Sequence, residues 1–95
     1  MKFTESRIPG AWIIDLTEIH DDRGFFAVTW RPEEFRQRGI EPAVAQCNLA
    51  FNHKRGTLRG MHFQKAPHAQ AKTIRCTRGA LLDVIIHLRP ESQAY

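Results

Sequence analysis

The sequence is poor in the features that several broad classes of protein require. Among its 95 residues there are 2 cysteines and 1 tyrosine, and no low-complexity run. Cys47 and Cys76 lie far apart and form no Cys-x-x-Cys pair, so they are read as two reduced, buried thiols of a cytoplasmic protein. No apolar stretch approaches the length of a membrane span. The start, Met1-Lys2-Phe3-Thr4-Glu5-Ser6-Arg7, lacks the apolar segment of a secretion signal, and none is expected. Glycine-rich phosphate loops and the Gly-x-Ser-x-Gly elbow are missing too. The 5 histidines, His20, His53, His62, His68 and His87, include no His-x-His or His-x-x-x-His pair. Ligand spacing for zinc is therefore absent and no metal is expected.

What the chain does contain is the composition of an ordinary globular protein, 42% apolar and 25% charged, which argues against disorder. The length suits one small domain with a thin core. A formal net charge of +4 and a pI near 9.6 favour an anionic ligand. Nucleic acid would call for a denser basic stripe.

Read in order, Phe3 to Ile8 is an edge strand ending in a Pro9-Gly10 turn, and Ala11 to Leu16 is a second apolar strand. His20-Asp21-Asp22-Arg23-Gly24 is a polar turn in which Gly24 supplies an unusual backbone angle. Phe25 to Trp30 is aromatic and β-branched and reads as strand. Residues Arg31 to Gly39 make the one good helix candidate: early proline, acids in the first turn, basic residues near the end, and a terminal glycine. Strands are expected again over Ala43 to Ala50, through the stretch after the polar loop Asn52 to Gly56, over Lys72 to Thr77, and over Leu81 to Leu88. In the last of these, Leu82, Val84, Ile86 and Leu88 alternate with Asp83, Ile85, His87 and Arg89, which gives one fully apolar face. Several strands, short turns and almost no helix argue an all-β sandwich or barrel.

The chemistry is concentrated in Thr57-Leu58-Arg59-Gly60-Met61-His62-Phe63-Gln64 and Gln70-Ala71-Lys72. His62 can act as a proton carrier near neutral pH, or be a half-buried, hydrogen-bonded histidine of a sheet. Arg59 and Lys72 are each solvated surface charges when taken alone. Beside His62 they could hold an anion and stabilise a developing oxyanion. A strict two-residue period puts Arg59 and His62 on opposite faces, so both meet one ligand only if Gly60 sits in a bulge or twist. Arg23 is either a turn arginine paired with a nearby aspartate or a phosphate clamp. Gln46 and Asn48 share a strand face, which suits a heterocycle, a sugar or plain solvent.

Taken together, Asp22-Arg23-Gly24-Phe25-Phe26, Gln46-Cys47-Asn48, Gly56 to Gln64, Gln70-Ala71-Lys72, Gly79 with Asp83-Val84, and Leu88-Arg89-Pro90-Glu91-Ser92 form an ordered set. It resembles the dTDP-4-dehydrorhamnose 3,5-epimerase family over nearly the whole chain. The resemblance implies a cupin-type β jelly roll, all-β with one short helix. Residues 1–95 would be a single partial domain, its N-terminal half. It also implies a cytoplasmic homodimer that needs no metal or organic cofactor and binds neither nucleic acid nor membrane. The substrate would be a dTDP-4-keto-6-deoxy sugar of dTDP-rhamnose and polysaccharide biosynthesis. His62 matches the base that removes the proton beside the C4 ketone, and Lys72 the cation on the enolate oxygen. Arg23 and Arg59 match holders of phosphates and sugar, while Gln46 and Asn48 match ligand contacts.

The chain departs from the family pattern in three ways. Val28 and His87 stand where acids are common. The family's acid tyrosine and the aspartate that pairs with its histidine lie in a later half, and Tyr95 matches neither. Two alternatives therefore stand beside the 3,5-epimerase: a single-position epimerase or ketoisomerase on the same scaffold, and a non-catalytic chain that binds a nucleotide sugar or associates with another cupin chain.

Overall fold

A computed structural model describes residues 1–95 as two units, Met1–Pro42 with Cys76–Tyr95, and Ala43–Arg75. All regular secondary structure lies in the first. Strands β1 (Lys2–Glu5) and β2 (Trp12–Asp15) pair antiparallel, with Phe3 opposite Ile14 and Glu5 opposite Trp12. The turn between them is closed by Ser6 N–H donating to the Ala11 carbonyl at 2.8 Å and Ala11 N–H to the Ile8 carbonyl at 3.0 Å. Gly10 (φ 81°) takes the left-handed conformation that such a turn requires and a side chain resists. This hairpin corresponds to the first two expected strands: β1 starts one residue earlier than expected and stops at Glu5, and β2 is trimmed by one residue at each end.

Strands β3 (Ile19–Asp21) and β4 (Gly24–Phe26) form a second antiparallel hairpin. The expected polar turn shrinks to Asp22-Arg23, because His20 and Asp21 belong to a strand. The expected strand over Phe25 to Trp30 stops at Phe26. Helix α1 (Pro32–Arg36) lies where proline, Glu33, Glu34 and Arg36 indicate it. It closes with Ile40 N–H donating to the Phe35 carbonyl and Gly39 N–H to the Arg36 carbonyl, both at 3.0 Å. That is a Schellman arrangement, with Gly39 at φ 72°.

The packed centre of this unit is Phe35, 1% exposed. Trp30 packs on it at 4.0 Å between ring centroids, and Phe3 meets it edge-on at 5.3 Å. The Arg38 guanidinium sits 3.8 Å from the Phe3 ring centroid and donates to the Glu34 carbonyl at 2.8 Å. The helix therefore contributes the core residue of this unit.

The expected strands over 43–50, 57–64, 72–77 and 81–88 form no hydrogen-bonded ladder. Their alternating pattern remains, but a ladder needs a neighbouring strand to receive its N–H and C=O groups. Burial fails with it: Cys47 and Cys76 are both exposed, correcting their reading as buried thiols. Within 81–88 the apolar face is outward, with Leu82 88% exposed, and the buried side chain is His87. What is shown is a chain of short strands with one short helix, consistent with an all-β class. No helix is long and apolar enough to cross a membrane.

Candidate functional site

Five of the six candidate site residues, Gln46, Asn48, Arg59, His62 and Lys72, lie in the Ala43–Arg75 unit, and Arg23 lies in the other. All six are exposed. Local turns govern the first group. Residues Lys54 to Thr57 reverse the chain, with the Thr57 hydroxyl donating to the Lys54 carbonyl at 2.7 Å and Gly56 at φ 78°. The reversal brings Asn52 beside Arg59. Arg59 Nε donates to Asn52 Oδ1 at 2.7 Å, and its Nη2 to the Phe51 carbonyl at 2.9 Å. Two acceptors at right distances fix the guanidinium plane and leave its remaining N–H groups free for an anion.

Sequence reasoning missed Asn52. Its signal was the Arg55-Gly56 turn between Asn52 and Arg59, which sets the two residues across a reversal.

Gly60, at φ 104°, interrupts the two-residue period between Arg59 and His62. A β-carbon built there would lie 3.7 Å from both the His62 amide nitrogen and its Nδ1, so the imidazole folds back over the glycine. This is a local departure from extended backbone of the kind the opposed faces of Arg59 and His62 demand. His62 is exposed, where a half-buried sheet histidine was the alternative. The Gln46 side-chain amide donates to Asn48 Oδ1 at 2.9 Å, which confirms that the two amides share a side. Lys72 is exposed and makes no hydrogen bond or ion pair.

Arg23 is held within its own turn. Its backbone N–H donates to Asp21 Oδ1 at 2.8 Å, Nε reaches Oδ2 at 3.2 Å, and Nη2 contacts Oδ2. The side-chain hydrogen bond from Arg23 holds the Asp21 carboxyl below the usual carboxylate range, and the same contact raises Arg23. Both groups are in water, so the pair shapes the turn more than it stabilises the fold. A phosphate at Arg23 would have to compete with Asp21. No cluster of three or more His, Cys, Asp or Glu side chains comes together.

Comparison with known proteins gives the arrangement a context. The sequence model of the family described as dTDP-4-dehydrorhamnose 3,5-epimerase matches residues 5–95. A Sinorhizobium fredii protein named dTDP-4-dehydrorhamnose 3,5-epimerase is 38% identical over 95 residues, covering 100% of this chain and 49% of that protein. The Escherichia coli K12 protein of the same name is 34% identical over 96 residues, 100% of this chain and 51% of its own. A Streptomyces protein named dTDP-4-dehydro-6-deoxyglucose 3-epimerase is 44% identical over 89 residues, 93% of this chain and 45% of its own. The chain thus spans about half the length of the curated relatives it matches. No solved structure matches.

Proposed function

The chain belongs to the dTDP-4-dehydrorhamnose 3,5-epimerase family, and on that premise we propose that it carries the proton-abstracting part of a sugar-nucleotide epimerase. The substrate is a dTDP-4-keto-6-deoxy sugar, in dTDP-rhamnose or related deoxysugar synthesis. The single observation behind this reading is the match over residues 5–95, which includes the whole Arg59–His62–Lys72 stretch.

In this reading His62 removes the proton from the carbon beside the C4 ketone. The electron pair of the broken C–H bond moves into the ring, and the ketone oxygen becomes an enolate. Lys72 faces that oxygen, and fixed positive charge there lowers the barrier because the charge develops only during the reaction. Arg59, oriented by Asn52 and the Phe51 carbonyl, holds the diphosphate or sugar. Gln46 and Asn48 offer amides to the sugar or base, and Arg23 is a further phosphate holder once released from Asp21. A second group returns a proton to the opposite face. The family places that tyrosine acid, and the aspartate that orients the histidine, beyond the matched half.

The accompanying proposals are a cupin-type jelly roll in which residues 1–95 form the N-terminal part of one domain, a homodimer, a cytoplasmic location and chemistry without a cofactor. A second reading, a single-position 3-epimerase, has its own support: the Streptomyces relative at 44% identity bears that name. Incubating dTDP-4-keto-6-deoxyglucose with the protein in deuterium oxide and locating the label by NMR separates the two. Label at C3 and C5 is expected of the 3,5-epimerase, and label at C3 alone supports the second reading. Absence of label at both carbons overturns both and leaves nucleotide-sugar binding alone.

A further inference from the structure

Arg23 and Arg59 are held in the same way by acceptors of different charge. At Arg59, Nε donates to Asn52 Oδ1 at 2.7 Å and Nη2 to the Phe51 carbonyl at 2.9 Å. At Arg23, Nε donates to Asp21 Oδ2 at 3.2 Å, and Nη2 donates to the same oxygen. Both arginines thus engage Nε and Nη2, and the N–H groups of Nη1 remain for a further acceptor. The acceptors at Arg59 are neutral, and it forms no ion pair. Its whole charge is offered to an anion. The acceptor at Arg23 is a carboxylate. The Arg23 side-chain hydrogen bond holds that carboxyl below the usual range, so it is ionised at neutral pH. A phosphate on the Nη1 side of Arg23 lies within a Debye length of this charge and is repelled by it. Each arrangement is local. Asp21 ends β3 beside the Asp22-Arg23 turn, and Asn52 meets Arg59 across the reversal at 54–57.

We propose that Asp21 and Asn52 are positioning residues that set how much charge each arginine offers to a nucleoside diphosphate. Asn52 orients Arg59 at full charge, whereas Asp21 orients Arg23 and tempers it. Arg59 is then the principal anion holder. Asp21 keeps the affinity for the diphosphate below what two uncompensated arginines give. Phosphate contacts that are equal in ground and transition states lower KM without raising kcat, so this tempering eases release of the nucleotide at no cost to the chemical step. The inference rests on the proposed reading of Arg23 and Arg59 as phosphate holders. It concerns binding alone, so it is tested without turnover.

The test is calorimetry of the 95-residue chain with dTDP, and with thymidine as a probe that lacks phosphate. Asp21→Asn keeps an Oδ1 acceptor for the Arg23 backbone N–H and removes the charge. It is expected to tighten dTDP binding by about two- to fivefold, the range of an exposed charge pair, and to leave thymidine unchanged. The gain is expected to vanish when Arg23→Gln is added, because the cycle isolates the pair from the change in net charge. Asn52→Asp makes the reverse change at Arg59 and is expected to weaken dTDP binding by a similar factor. Equal or weaker binding of dTDP by Asp21→Asn overturns the proposal, and so does a gain that persists without Arg23. No binding of dTDP by either the wild type or Asp21→Asn also overturns it. Wild-type affinity in Arg23→Gln, both alone and beside Asp21→Asn, is a different failure: it removes Arg23 as a phosphate holder, and the proposal with it.

Discussion

Replacing Phe35 with alanine removes the one fully buried apolar side chain of the Met1–Pro42 and Cys76–Tyr95 unit. The loss has two parts. Truncating a buried phenylalanine costs about 3–5 kcal/mol through lost transfer and the cavity left behind. Within that figure, the ring pairs with Trp30 and Phe3 account for about 0.5–1.5 kcal/mol each. Phe35→Leu keeps most of the buried area and loses only the ring pairs, so it is expected to cost about 1–3 kcal/mol. Small domains hold little reserve, and the alanine variant is expected to be largely unfolded at room temperature. Urea titration followed by tryptophan fluorescence reads this directly, because Trp30 packs on Phe35 at 4.0 Å. A Phe35→Ala midpoint equal to the wild type would refute the assignment of Phe35 as the packing centre. Equal losses for leucine and alanine would refute the two-part division.

Three further outcomes follow from the geometry. Asn52→Ala removes the acceptor for Arg59 Nε. At about 0.5–1.5 kcal/mol for one hydrogen bond, it should weaken dTDP binding by roughly 2–10-fold in calorimetry with little change in thermal stability. Asp21 is held low by Arg23, so the β3–β4 turn gains a small stabilisation that is present above the ordinary carboxylate pKa. It disappears as pH falls through the lowered value. An NMR titration of the Asp21 carboxyl should show the depressed midpoint, and Arg23→Gln should return it to the ordinary range. Cys47 and Cys76 are exposed, so both should react with a thiol reagent under native conditions, as fast as in urea; a protected thiol would count against the burial pattern described.

Much of the fold that is present was legible because its causes are local. Helix α1 is fixed by Pro32, two acids, a basic last turn and Gly39, all within a few residues. The β1–β2 turn is fixed by Pro9-Gly10 and its own hydrogen bonds. The expected strands at 43–50, 57–64, 72–77 and 81–88 depend instead on partners distant in sequence. Alternation says which face wants cover and nothing about what covers it. The buried-thiol reading failed for the same reason, since Cys47 and Cys76 sit in such segments. At the site, the demand for a backbone irregularity at Gly60 followed from the opposed positions of Arg59 and His62, and the glycine has φ 104°. The Arg59–Asn52 contact was missed because it depends on how tightly residues 54–57 turn.

The central claim is that His62 is the base. Its most direct test is the initial rate of solvent deuterium uptake into dTDP-4-keto-6-deoxyglucose, read by mass, for the wild type and for His62→Ala side by side. A positioned general base contributes about 10²–10⁴-fold, so uptake by the variant should fall by at least the lower figure while dTDP binding persists. Equal uptake by the two proteins would contradict the account.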